Sequence, residues 1–282
     1  MTKGKRNRGK KFVAVLLGVA FFALSVLGIL QAGVAYTRES WQYWYPDYAK
    51  TDILPLLVKT QRTDEDYETL YAQTGLTRLG IDDMLAQGKL QRILSVQDGY
   101  FADRTVESRK FNLFTYQDET DTEAEFCLLK TGDIVVTANT WVSWWRHGHA
   151  ALVVEGARGL VIESIGLGSK SECNDIQDFA AAGNFMILRP KADAALKKEV
   201  AAYAMENLVG LPYRLTTGVL SKKYKEEIAF TQCAHLVWYA YKKFGVDLDS
   251  DGGGVIKPRD MALSSQVELV QVYGFDPISL WN

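Results

Sequence analysis

Three histidines and three cysteines are the scarce residues in this chain: His147, His149 and His235, with Cys127, Cys173 and Cys233. Two chemistries can be built from them. Metal binding needs close ligand pairs, and the cysteines do not supply the usual Cys-x-x-Cys spacing. Cys233 and His235 stand two apart on an expected helix and so point apart. No third ligand lies near His147 and His149. The remaining chemistry is a thiol nucleophile. Cys233 lies at the start of an apolar run, about Gln232 to Phe244, that reads as a helix closed by Gly245. At a helix N-terminus the backbone N–H groups and the dipole favour a thiolate. A thiolate also needs a base. His149 opens the apolar run His149–Val154 and can serve as that base; His147, two residues earlier, could share its face.

A histidine base works best when a third group holds its tautomer. Glu163 lies inside the apolar run Leu160–Ile165, and the turn Gly156-Ala157-Arg158-Gly159 joins the two runs as a hairpin. If the hairpin is centred on Ala157, residue 151 faces residue 163. His149 and Glu163 then lie diagonally on one face, within reach of long side chains. A slip of one residue would undo this. The bland alternatives are a core thiol and a satisfied core histidine. A carboxylate inside an apolar strand is harder to explain without a partner. Cys127 and Cys173 can be read either as a disulfide or as separate buried thiols. Gly252-Gly253-Gly254 lacks the Lys-Ser/Thr of a phosphate loop, and no Gly-x-Ser-x-Gly elbow is present. No cofactor is implied.

The elements that must position these residues follow from patterning. Gly132–Val136, His149–Val154, Leu160–Ile165 and Asn184–Leu188 read as strands. Asp193 caps a helix with Leu196, Val200, Ala204 and Leu208 on one face. Strands first and helices after suggest α+β. Residues 52–125 read as helical and polar, with a capping box at Thr63–Asp66, and 117–125 as an acidic loop. Residues 12–30 carry no charge and follow six basic residues at positions 3–11. That is a membrane-crossing length, and the basic flank places the body on the extracytoplasmic side. The segment is read as an uncleaved anchor, or else as a signal peptide cut near residues 32–35. Trp41, Tyr43, Trp44, Tyr45 and Tyr48 follow, either as an interfacial belt or packed on the body.

Of 32 Lys+Arg, 26 lie beyond residue 11, against 34 Asp+Glu, so the body has a net charge of −8. An acidic body argues against nucleic-acid binding. Three regions are expected: a membrane segment over 1–36, a juxtamembrane helical region over 37–125 and a catalytic domain over 126–282.

Gly132-Asp133-Ile134-Val135, His149-Ala-Ala-Leu-Val-Val and Val161-Ile162-Glu163 resemble, in order, the first half of the permuted papain-like family, the YiiX-like relatives of NlpC-type cell-wall peptidases. Gly210-Leu211-Pro212-Tyr213, the stretch Thr231–Trp238 around Cys233, the loop Leu248–Gly254 and Pro258-Arg259-Asp260 resemble its second half. The resemblance covers about residues 130–275. It implies a circularly permuted papain-like core, with the histidine strand first and the cysteine helix last. It also implies Cys233 as nucleophile, His149 as general base, Glu163 as orienting residue and Tyr213 lining the site. His235 departs from the acid that relatives often carry two residues after the cysteine. The expected activity is thiol hydrolysis of an amide bond in a cell-wall peptide. A lipid-acting thiol acyltransferase or thioesterase is an alternative, as is a non-catalytic wall- or lipid-binding module. A purely structural membrane protein that binds a partner through 52–125 stays in view.

Overall fold

The structure, a computed structural model, describes residues 3–111 and 115–281, with side chains from residue 11 onward. Helix α1 (Lys3–Ser40) is long and apolar enough to cross a membrane. Four helices follow: α2 (Leu54–Leu57), α3 (Asp64–Thr74), α4 (Arg78–Ala86) and α5 (Leu90–Tyr100). The strands are β1 (Val106–Lys110), β2 (Tyr116–Thr120), β3 (Ile134–Thr137), β4 (Thr140–Val142), β5 (Trp145–Arg146), β6 (His149–Glu155), β7 (Leu160–Glu163), β8 (Glu172–Asp175) and β9 (Phe185–Pro190). After β9 come α6 (Ala194–Asn207), α7 (Cys233–Lys243), α8 (Pro258–Ala262) and β10 (Val267–Tyr273). The protein is therefore α+β, with antiparallel sheets and an N-terminal apolar helix.

The central sheet has the order β10-β9-β3-β6-β7-β8. Its strand interiors are continuous apolar runs because both faces are covered. Ile134, Val136, Ala150, Leu152, Met186 and Leu188 pack against α6 and α7. The alternating residues Val135, Ala151, Val153, Val161 and Ile187 share a second core with α3, α4 and α5. Helix α7 is buried from Cys233 through Tyr241, as expected of a helix apolar on all sides. At Gly132 (φ 90°) an added Cβ would lie 2.6 Å from Lys197 Cβ, so only glycine admits α6 this close. The neighbouring Asp133 is fully buried and takes two hydrogen bonds from Arg189, at 2.7 and 2.8 Å. This element of the sequence pattern is structural.

The capping box at α3 forms as expected: Asp66 N–H donates to Thr63 Oγ1 and Thr63 N–H donates to Asp66 Oδ2. The helical reading of 52–125 needs correction beyond Tyr100, and the loop expected over 117–125 holds for 121–125 but gives way to strand over 117–120. Strands β1 and β2 pair antiparallel and join a second sheet of order β1-β2-β4-β5. Their polar composition hid the strand period because this sheet buries charge rather than hydrocarbon. Asp118, 1% exposed, accepts from Arg146 Nη1 (2.7 Å), Tyr43 (2.7 Å), Ser108 (2.6 Å) and Trp141 Nε1 (2.9 Å). The aromatics after α1 pack on the body. Trp41 lies under the Arg146 guanidinium at 4.3 Å, Trp44 sits 5.7 Å from the Tyr100 ring, and Arg104 covers Tyr45 at 4.3 Å.

Candidate active site

The hairpin β6–β7 pairs Ala151 with Glu163. That is the register on which the diagonal placement of His149 and Glu163 depends. His149 Nε2 and Glu163 Oε2 are 2.5 Å apart. The second carboxylate oxygen of Glu163 accepts from Asn174 Nδ2 at 2.8 Å. Asn174 lies on β8, next to β7 in the sheet, where it pairs with Val161. With Nε2 engaged by Glu163, the ring nitrogen left for a further partner is Nδ1. The Cys233 side chain acts on the same ring and favours its charged form. Phe179 covers one face of the imidazole, with centroids 5.4 Å apart and planes within 11°.

The electrostatics follow from these contacts. Burial disfavours a charged His149, but the contact with Cys233 and then the Glu163 hydrogen bond and charge outweigh it. The imidazole is held well above its ordinary range. Glu163 is likewise buried, which raises its pKa, yet the His149 and Asn174 hydrogen bonds bring it below the usual carboxylate value. The arrangement therefore favours an imidazolium between a carboxylate and a sulfur.

Cys233 is the first residue of α7, and Gln232 is its N-cap. The Gln232 carboxamide ties the turn together. Its Oε1 accepts from Ala234 N–H (3.1 Å) and lies 3.4 Å from Cys233 Sγ, while Nε2 donates to Ile256 O (2.7 Å). The N–H of Cys233 sits in the first helical turn, where no intrahelical acceptor exists, and it donates no hydrogen bond among the described residues. It is available to a developing oxyanion.

Space lies on both sides of this trio. A cleft of about 390 Å³ runs beside His149 and Glu163, with Gln177, Asp178 and Phe179 along it. On the sulfur side a much smaller cavity, about 30 Å³, is lined by Cys233, Tyr213, His147, Trp145 and Leu215. That is room for about one water. Tyr213 is thus beside the sulfur, where burial first, and then the charge on Cys233, push its phenol up.

The structure brings together Cys233, His149, Glu163 and Tyr213. The other candidates take different parts, although His147 shares the sulfur-side cavity. His147 hydrogen-bonds through Nδ1 to Gly148 O at 2.9 Å and is pushed down to about 4 by burial. His235 donates from Nε2 to Lys223 O (2.8 Å) and accepts at Nδ1 from Thr231 (2.9 Å), and burial lowers it to about 4. Cys127 and Cys173 are separate free thiols. Sequence reading missed Asn174 and the capping role of Gln232. Asn174 belongs to an edge strand with no apolar run to announce it. Gln232 was visible only as the polar residue before an apolar helix, and glutamine is an unusual N-cap.

The chain is 26% identical over 139 residues to the uncharacterized protein YycO of Bacillus subtilis (strain 168), a match covering 48% of this chain and 52% of that protein. The chain thus spans about half the length of the curated relative it matches. No family model matches the chain. No solved structure matches it either.

Proposed function

We propose that this protein is a cysteine hydrolase on a circularly permuted papain-like core, cleaving an amide bond on the extracytoplasmic side of a membrane. One observation carries the reading: Cys233 at a helix N-terminus acts on the His149 imidazole, which is hydrogen-bonded to the Glu163 carboxylate, although 84 residues separate Cys233 from His149. The carboxylate holds Nε2, which leaves Nδ1 for the sulfur.

In the proposed reaction the Cys233 proton rests on His149, and the thiolate attacks the carbonyl carbon. A C–S bond forms while the carbonyl electrons move to oxygen, where the Cys233 N–H stabilises them. Collapse breaks the C–N bond, and the imidazolium gives its proton to the leaving amine. Water then attacks the acyl-enzyme as His149 accepts its proton, releasing the carboxylate and restoring the thiol. Glu163 positions the ring and stabilises its charged form, and Asn174 fixes Glu163. The substrate class is a cell-wall stem peptide. An acyl-lipid substrate for the same thiol is the second reading, favoured by the apolar rim that Trp145 and Leu215 give the sulfur-side cavity.

The test is labelling with iodoacetamide at neutral pH, followed by peptide mapping, together with release of amines from purified wall. Wild-type protein should label fastest at Cys233 and release amines, and Cys233→Ala should lose both. Labelling that is no faster at Cys233 than at Cys173 would overturn the reading.

A further inference from the structure

Helix α1 has a point at which it stops being free. From Phe12 to Leu30, before the amide of Gln31, it runs nineteen residues, or about 28 Å at 1.5 Å per residue, close to the ~30 Å of bilayer hydrocarbon; the next charge is Arg38. From Leu30 onward, the turn joining β4 to β5 lies against the helix. Ser143 Oγ donates to Leu30 O at 3.1 Å, and Thr37 Oγ1 donates to Ser143 O at 2.7 Å. The approach requires a glycine. A Cβ on Gly33 would lie 2.0 Å from Ser143 Oγ and 2.5 Å from the Trp144 ring. The turn is thus built onto the last stretch of the spanning segment.

That turn carries two large aromatic side chains outward. Trp144 is 59% exposed and Trp145 47%. Tryptophan concentrates at the membrane–water boundary, where an apolar ring and a polar N–H can both be accommodated. The aromatics at 41–48 do not serve this purpose, since they pack on the body. Beside the turn, a cavity of about 200 Å³ lies between Leu27, Leu30 and Val34 of α1 and Tyr116 and Val142 of the small sheet, with Lys110 at its edge. Gln31 and Ser143 complete its lining.

We propose that the β4–β5 turn seats the body on the bilayer leaflet that faces it, with Trp144 and Trp145 among the phospholipid headgroups beside α1. Trp145 also lines the sulfur-side cavity, together with Leu215, which is 50% exposed. The mouth of the Cys233 cavity therefore opens at the lipid surface. The inference concerns the chain that keeps α1, and it does not depend on Cys233 being a nucleophile.

The experiment uses the full chain in nanodiscs of phosphatidylcholine and phosphatidylglycerol whose acyl chains are brominated near the headgroup or near the methyl end. Tryptophan emission of the wild type should be quenched more by the shallow bromines than by the deep ones. Trp144→Phe/Trp145→Phe should lose at least half of that quenching with an unchanged near-ultraviolet spectrum. Gly33→Leu, which forces the turn off the helix, should reduce quenching at least two-fold. Absence of shallow quenching in the wild type, or full retention in the double variant, would overturn the proposal. Cys233→Ala should quench like the wild type, so a failed hydrolase reading and a failed seating are told apart.

Discussion

His149 and His235 are both near Cys233, one on β6, which packs against α7, and one on α7 itself. His235 is buried, His149 keeps 13% of its side chain exposed, and both rings lie against aromatic neighbours, Phe179 for His149 and Tyr239 for His235. Burial alone would drive both toward the neutral form. Only His235 goes that way. Its partners are a backbone carbonyl and a hydroxyl, neutral groups that satisfy one donor and one acceptor of an uncharged ring. His149 has a carboxylate and a thiol, each able to carry negative charge. The difference shows that the partners, not the depth of burial, decide which histidine can hold a proton for chemistry.

The comparison can be broken most directly by alkylation of Cys233 at pH 6.5. His149→Ala should slow it about 100-fold, because an unassisted thiol of pKa about 8.5 is only about 1% ionised there. His235→Gln should change it less than about three-fold. Equal losses would make both histidines structural.

The pH dependence of stability should separate them next. His235 has a lowered folded value of about 4, against an ordinary 6.5 in the unfolded chain. Its contribution is present above pH 6.5 and lost as pH falls toward 4, on the order of 2 to 3 kcal/mol. His147 acts in the same direction. His149 is raised, so its contribution has the opposite sign, present below 6.5 and lost as pH climbs through the elevated folded value. Denaturant midpoints across pH should show a flatter acid limb in His235→Gln and a flatter alkaline limb in His149→Gln.

A smaller effect sharpens the role of the carboxylate. Glu163→Gln removes the charge that favours imidazolium, so the alkaline limb of the alkylation rate should move down by about one pH unit. Asn174→Ala should have a smaller effect than His149→Ala, a two- to five-fold slower alkylation at pH 6.5, since it acts on the ring only through Glu163. A limb that does not move in Glu163→Gln would deny the carboxylate any hold on the ring.

Sequence reasoning reached parts of this arrangement unevenly. The hairpin register was legible because turn glycines and apolar runs on both sides leave little freedom to slip. The starts of α6 and α7 were legible from Asp193 and from the apolar run after Gln232. Strands β1 and β2 were not, because their inward-facing positions carry Asp118 and Ser108, and their stability comes from a buried ion network instead of apolar alternation. Asn174 was not legible either, since its function depends on which strand lies next to β7. The contact of α1 with the β4–β5 turn rests on Gly33, which in an apolar helix looks like any other small residue.

The hydrogen bond from Tyr43 to Asp118 also limits how far the body can travel. Only two residues separate Ser40, the end of α1, from Tyr43, and that tyrosine is fastened to the same carboxylate that holds Arg146. The stretch after the helix thus works as a stiff collar, with no slack to act as a leash. A globule of about 240 residues is about 45 Å across, so with α1 embedded its working radius is its own width. Material farther from the bilayer than that would have to come to the protein.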